Sequence, residues 1–208
     1  MDIIEKLNWR YATKKFDTKK LPQETVEQII EAGNLTASSY GLQPWKIVVV
    51  ENPEVREQLV EYSWGQAQVK DASHLLVIAR QADINADDVE AFIENIVATR
   101  GVPAEALSDY KNMMLSTISR LDESAKQVWM DKQAYIVLGN LLTVCAALNV
   151  DTCPMEGFVP AEYDRILGLV DKGLQSVLVL PIGYRAEDDT YQHLKKVRKP
   201  LEEAVVTI

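Results

Sequence analysis

The sequence predicts an α+β fold, in which the strands and most of the helices occupy separate parts of the chain. Short β-branched apolar runs, typical of strands, fall early at residues 46–50 and 75–79 and late at residues 177–180. Between them, residues 85–150 show a helical pattern throughout. Because strand and helix do not alternate regularly, this order favours α+β over a parallel α/β sheet.

The first long helix is predicted to begin near Pro22, just before a stripe of apolar residues. The stripe recurs every three or four residues, which would place one face of the helix against the core. Its members are Val26, Ile29, Ile30 and Gly33. After the first strand, Asn52 and Pro53 predict the N-cap and the first residue of a second helix, with Val55 and Leu59 facing inward.

The later elements predict a sheet that is covered on both sides. The strands at 75–79 and 177–180 are apolar on both faces, as strands between two layers of helices are. Within the helical block, a break is expected at residues 101–103, which read Gly-Val-Pro. The uncharged run at 134–150 is at the lower limit of a membrane-spanning length and contains Asn and Thr, so we expect a buried core helix there.

Composition bounds the classes of function. The chain has 208 residues and a formal net charge of −9, so one domain, 1–208, is expected. A general attraction to nucleic acid or to an anionic membrane is excluded, because phosphate binding needs a basic face. The N-terminus carries acid early and lacks the basic start of a signal peptide, which predicts a cytoplasmic protein.

Several common active-site motifs are absent. No strand leads into GxGxxG, and the spaced pair Gly168 and Gly173 is followed by Leu174 rather than by the Lys-Ser/Thr of a P-loop. The HExxH and GxSxG motifs are also missing, which disfavours hydrolytic chemistry. Cys145 and Cys153 lack CxxC spacing, so we predict buried, reduced thiols and no metal site.

Positive charge is concentrated at the two ends of this acidic chain. Nine of the 22 basic residues lie in two short segments. They are Arg10, Lys14, Lys15, Lys19, Lys20, Lys195, Lys196, Arg198 and Lys199. One interpretation is two solvated surface patches. The other is a site for a phosphate monoester, which Arg and Lys bind through charge-assisted hydrogen bonds, and this requires the two ends to meet.

Two further segments have a structural and a functional interpretation. Ser38 to Trp45 reads SSYGLQPW, and a plain surface turn has no use for the rings of Tyr40 and Trp45. In Cys153 to Phe158, Pro and Gly could simply make a turn, or Gly157 could let a flat ligand approach a backbone N–H. His74, at the entrance of a strand, is expected to be a hydrogen-bonded structural residue.

Five segments, in this order and spacing, resemble the nitroreductase family of FMN-dependent NAD(P)H oxidoreductases. They read Arg-Tyr-Ala-Thr-Lys at 10–14, Ser-Ser-x-x-x-Gln-Pro-Trp at 38–45, Asp-Ala-Ser-His at 71–74, Met-Glu-Gly-Phe at 155–158 and Lys-Val-Arg-Lys-Pro at 196–200. The resemblance extends from residue 1 to residue 200. It implies an α+β fold with a mixed sheet flanked by helices, and an intertwined homodimer with one FMN at each of two subunit interfaces.

The resemblance also implies the cofactor-binding residues. Arg10, Lys196 and Arg198 would hold the FMN phosphate, and Lys14 would lie near the pyrimidine edge of the ring. The full implied set is Arg10, Tyr11, Ala12, Lys14, Ser38, Ser39, Gly41, Gln66, Gln68, Pro154, Met155, Glu156, Gly157, Lys196 and Arg198. Glu156 and Gly157 would present backbone to the flavin N5 edge. The segment from Ser38 to Gly41 would come from the other subunit, so that the partner and the flavin cover Tyr40 and Trp45.

This chain departs from the family pattern at several of these positions. Ala12 stands where relatives often have Ser, and Gly41 where they often have Asn. Gly65 and Gln68 replace Asn and Lys, which removes a cation near N1 and lowers the expected flavin reduction potential. Gln66 and Gln68 are the predicted substitutes, because an amide can both donate to and accept from the ring.

The function implied is ping-pong transfer of hydride from NAD(P)H, through flavin N5, to a nitroaromatic or quinone acceptor. The cofactor carries the chemistry, so no acid or base side chain is nominated. Small aromatic electron acceptors are the expected partners, and residues between 85 and 122 would set which of the family's reactions applies. Other possibilities stay open: a relative that reduces an enal, a semialdehyde or free flavin, a flavin-binding redox module without turnover, and a structural helical dimer with an empty site.

Overall fold

The computed structural model describes residues 2–208, and its centre is one four-stranded sheet with strand order β1-β2-β4-β3. The strands are β1 Trp45–Val50, β2 His74–Gln81, β3 Asp151–Thr152 and β4 Leu174–Gly183. All three pairings are antiparallel. The predicted α+β class is confirmed. The expected mixed sheet is antiparallel in all its named strands, and its parallel pairing is limited to one isolated bridge, between Ala12 and Thr152.

The helices predicted after Pro22, after Asn52 and within residues 85–150 are present, and short helices that the sequence analysis did not predict are added at 3–9, 68–71, 160–166 and 201–204. The α-helices of residues 2–208 are α1 Ile3–Trp9, α2 Gln23–Asn34, α3 Pro53–Glu61, α4 Gln68–Asp71, α5 Ala86–Arg100, α6 Ser108–Ser119, α7 Glu123–Ala147, α8 Pro160–Ile166 and α9 Leu201–Ala204. The predicted Asn52 cap is confirmed, since its side chain accepts from the N–H groups of Glu54 and Val55. Gly101 ends α5 in the left-handed conformation, at φ 66°.

Helices cover both faces of the sheet, as the two-sided apolar strands predict. On one face, Leu76 and Leu178 pack with Ile29 of α2 and Leu141 of α7. On the other face, residues of β2 and β4 pack with α3 and with Tyr163 of α8. A third apolar cluster joins α5, α6 and the start of α7. None of the helices in residues 2–208 has the length and apolar character needed to cross a membrane.

The rings of the Ser38–Trp45 segment are covered by their own chain. Trp45 is only 6% exposed and lies in the cluster beneath α2 and α7, because its place at the start of β1 turns it inward. Tyr40 packs beside α6, where its hydroxyl lies 3.2 Å from Thr117 Oγ1 and its ring meets Tyr110 edge-on. The prediction that a partner and a flavin must cover both rings is therefore wrong for Trp45 and unnecessary for Tyr40.

Candidate functional site

The two basic segments meet. A cleft of about 370 Å³ is lined by residues 8–12 and Lys14 from the N-terminal segment and by residues between 191 and 198 from the C-terminal segment. Six predicted cofactor-binding residues line it: Arg10, Tyr11, Ala12, Lys14, Lys196 and Arg198. The phosphate-site hypothesis required the two ends of the chain to meet, and they do.

Backbone contacts hold the N-terminal wall of the cleft in place. Helix α1 ends at Trp9, and the chain continues in an extended conformation through Arg10. Thr13 then donates its N–H to the carbonyl of Thr152, at 3.1 Å, next to the Ala12–Thr152 bridge. Lys196 donates to the carbonyl oxygen of Arg10, which ties the two walls together.

Asp189 stabilises the N-terminal wall of the cleft through hydrogen bonds, and the sequence analysis did not identify it. Its side chain is 1% exposed, and Oδ2 accepts from the Tyr11 hydroxyl at 2.9 Å and from the Lys14 and Lys15 N–H groups at 2.8 and 3.1 Å. Burial by itself would raise the pKa of Asp189, but these donors, with the N–H of Tyr191, lower it below the ordinary value. A lone aspartate 175 residues from its partner carries no sequence signal.

Arg185 is a second support that the sequence did not reveal. It donates from Nε to Asp151 Oδ1 at 2.8 Å, and Asp151 is buried. The guanidinium carbon also lies 4.2 Å from the ring centroid of Trp9 and 4.6 Å from that of Tyr11. This cation is stacked and paired, so it is a structural part of the site.

The cations in the cleft, in contrast, lack anionic partners. Within residues 2–208, Arg10, Lys196 and Arg198 form no ion pair with a carboxylate. Burial and the nearby Arg198 lower the pKa of Arg10, while burial, Arg10 and Arg198 lower that of Lys196. Arg10 Nε is buried without a hydrogen-bond partner in this part of the chain. Such crowded positive charge is stabilised by a bound anion.

A second group of predicted residues gathers around Gly157. Gln66 Nε2 donates to the carbonyl oxygen of Gly157 at 3.1 Å, and Trp64, which the sequence analysis did not nominate, lies against the same glycine. The Gly157 N–H makes no hydrogen bond to residues 2–208. This group does not line the cleft, and its link to it is the chain itself: the segment that reaches Gly157 leaves β3 at Thr152, which bonds to Thr13.

Other nominated residues have side chains that are buried or turned to structural work. Met155 is buried and pairs with Val179 through backbone bonds. Gln68 is also buried. Pro154 is half-buried, and Glu156, which follows Met155, is the exception with an exposed side chain. Met155 and Pro154 can therefore contribute backbone to a ligand more readily than side chain.

The nominated Ser38–Gly41 loop does not line the cleft. The N–H of Ser39 donates to Gln133 Oε1 of α7, at 2.8 Å. Ser38 Oγ accepts from the Gln43 N–H. Gly41 has φ 82°, and an added Cβ would lie 2.9 Å from the ring of Phe92. The loop is therefore fixed against α5 and α7 of its own chain, and only a second copy could bring it to the cleft.

The remaining titratable candidates are structural. Cys145 and Cys153 are free and buried, as predicted, and burial raises the pKa of Cys145 to about 12. His74 Nδ1 lies 3.0 Å from Ser73 Oγ, and burial, with Arg56 nearby, lowers the His74 pKa. This confirms the expected hydrogen-bonded histidine.

Comparisons with known proteins agree with this arrangement. The profile of the Nitroreductase family matches residues 7–184. YfkO of Bacillus subtilis, provisionally named an NAD(P)H nitroreductase, is 39% identical over 218 residues, covering 98% of this chain and 96% of YfkO.

Solved structures share the fold. One from Staphylococcus epidermidis, provisionally described as an NAD(P)H:FMN oxidoreductase, has a TM-score of 0.87 at 24% identity and covers 100% of this chain and 96% of its own. Another, from Exiguobacterium sibiricum, provisionally described as a nitroreductase in complex with FMN, has a TM-score of 0.87 at 22% identity and covers 100% and 98%. Because the profile spans most of the chain and YfkO matches nearly all of it, the chain belongs to the nitroreductase family.

Proposed function

We propose that the protein is an FMN-dependent oxidoreductase that passes electrons from NAD(P)H to nitroaromatic or quinone acceptors. Its relative YfkO is provisionally named an NAD(P)H nitroreductase, and the Exiguobacterium sibiricum structure is a complex with FMN. The observation that carries the proposal is the cleft in which Arg10, Lys196 and Arg198 converge without a carboxylate partner in residues 2–208.

The cleft fits the phosphate end of FMN. A phosphate monoester carries nearly two negative charges, and three cations with free donors can offset them. The buried, unpartnered Nε of Arg10 is a donor of the kind that such a ligand satisfies. Asp189 stays away from the ligand side, because its Oδ2 is already bound to Tyr11 and to the backbone of Lys14 and Lys15.

We assign the ring end of FMN to two further groups. The exposed Lys14 side chain belongs to the cleft and would meet the polar edge of the ring. The free N–H of Gly157 would donate to it from the segment that follows β3. Bound FMN supplies hydride transfer, and the protein residues bind and orient it and admit flat substrates.

We propose that the site is completed in a homodimer. Large apolar side chains are exposed on α1, on α7 and along the C-terminal segment, including Ile4, Ile136 and Val206. Exposed apolar side chains concentrated on a few elements are what a subunit interface would cover. A dimer would also bring the Ser38–Gly41 loop of one copy to the cleft of the other, with each chain, 1–208, acting as one FMN-binding domain.

One experiment tests the proposal. The purified protein is expected to be yellow, and chromatography of the heat-released flavin should give FMN rather than FAD, because the cleft offers one phosphate site and no dinucleotide fingerprint occurs. Stopped-flow mixing with NAD(P)H, then with menadione or nitrofurazone, should reduce and reoxidise the flavin. Binding of FMN without turnover would favour a redox module, and failure to bind FMN after reconstitution would refute the proposal.

A further inference from the structure

The turn after α3 and the segment that contains Gly157 are fastened together. The N–H of Val159 donates to the carbonyl of Tyr62 at 2.8 Å. Gln66 Nε2 donates to two carbonyl oxygens, those of Ser63 and Gly157, both at 3.1 Å. One side chain thus spans the turn and the segment, from positions 91 residues apart in sequence.

Trp64 packs against Gly157 beside this contact. An added Cβ on Gly157 would lie 2.7 and 2.8 Å from two carbons of the Trp64 ring, which is closer than real Cβ atoms approach. Trp64 has φ 56° and is 73% exposed, so a large apolar ring is held at the surface in a conformation that is uncommon for residues other than glycine. The turn that holds the Trp64 ring in this position therefore requires a residue without a Cβ at position 157.

The hydrogen bonds of Gln66 limit what else it can do. A primary amide has two donor hydrogens, and here its nitrogen already serves two carbonyls. Only Oε1 is left for a ligand, so the predicted role of Gln66 as a donor to the flavin ring does not fit its geometry. Its donors act instead on the backbone of Gly157.

We propose that Gln66 is a positioning residue for the Gly157 N–H. Glycine has the greatest backbone freedom of any residue, and fixing its carbonyl restricts the ψ angle that relates the carbonyl to the N–H. Gln66 supplies that restraint, and Trp64 limits movement of the Cα. The unpartnered N–H then points in one direction in the protein without FMN. This rests on the proposed function, in which that N–H meets the flavin.

The test compares Gln66→Met and Gln66→Glu, which keep the length of the side chain and remove its donors. Gln23→Met is the matched control, because Gln23 donates only to Glu27 on the exposed face of α2. In the FMN-free protein, amide hydrogen exchange at Phe158 and Val159 should accelerate about tenfold in both Gln66 variants and stay unchanged in the control. Unchanged exchange would overturn the proposal.

Measurements on the FMN-loaded protein distinguish a positioning role of Gln66 from simple stabilisation of the turn. The FMN dissociation constant should stay within about threefold of wild type, since the phosphate cleft is intact, while the rate of flavin reduction by NAD(P)H should fall about tenfold. Faster exchange with an unchanged reduction rate would assign Gln66 to the turn alone. The exchange measurement needs no flavin, so it is independent of whether the wild-type protein turns over.

A second pair of variants applies if the Gln66 variants do not fold. Gly157→Ala should slow flavin reduction, because the new methyl group meets the Trp64 ring. The double variant Gly157→Ala with Trp64→Ala should recover to within about threefold of Trp64→Ala alone, because the closest obstacle is gone and the Gln66 amide, 3.3 Å from the added Cβ, needs only a small shift to keep its bond to the carbonyl. No recovery would overturn the proposal.

Discussion

Replacing Arg198 by alanine removes one of the three unpaired cations of the terminal cleft. The side chain is exposed and its bond to protein is a local one, from Nη1 to the Val197 carbonyl at 2.6 Å. A charge-assisted hydrogen bond is worth about 1.5–3 kcal/mol, so FMN affinity should fall between about tenfold and about 150-fold. The absorption spectrum of the flavin that stays bound should hardly change, since the contact is with phosphate and not with the ring.

The free energy of unfolding of the FMN-free protein gives an independent measurement, which should not fall when FMN affinity falls. The charge of Arg198 helps to lower the pKa of both Arg10 and Lys196, which means that the three cations repel one another in the absence of an anion. Removing Arg198 relieves this repulsion. We therefore expect the free energy of unfolding without FMN to be unchanged or slightly higher, within about 0.5 kcal/mol.

Lys199→Ala is the matched control, because it removes the same charge from the next residue and Lys199 does not line the cleft. The assay is a fluorescence-quench titration with FMN at two ionic strengths, together with urea unfolding of the FMN-free proteins. If both variants bind FMN equally well, the C-terminal cluster is ordinary surface charge. If Arg198→Ala lowers affinity and stability together, the residue supports the fold and the phosphate interpretation fails.

Three further expectations can be checked with the same protein. Asp189→Asn should lower the free energy of unfolding by about 2–3 kcal/mol at neutral pH. Because folding lowers the pKa of Asp189, this difference should shrink as the pH falls through the folded-state pKa. Urea unfolding at several pH values checks this, and a difference that does not depend on pH would contradict it. Steady-state kinetics with NAD(P)H and menadione should give parallel double-reciprocal lines, whereas intersecting lines would indicate a ternary complex. If sites are shared, the Ser39→Asp homodimer should bind no FMN, and its heterodimer with the triple variant Arg10→Ala, Lys196→Ala and Arg198→Ala should regain about one FMN per two chains. A Ser39→Asp homodimer that keeps its full FMN content would show that the loop does not reach a partner's site.

Local patterns in the sequence determined the elements and the family. The Asn52 cap, the Gly101 stop and the apolar stripe of α2 each act within a few residues, so their effect is readable from spacing alone. The basic segments at the two ends also indicated an anion site, because unbalanced charge in an acidic chain needs a partner.

Tertiary structure decided which groups are free to act. Asp189, Arg185 and Asp151 support the cleft through contacts that join distant parts of the chain, and no periodicity marks such pairs. Trp45 is buried by its own fold, and the donors of Gln66 are used on Ser63 and Gly157. Sequence identifies which donors and rings exist. Whether they remain available to a ligand depends on long-range packing, because a buried polar group is satisfied by whichever partner the fold places beside it.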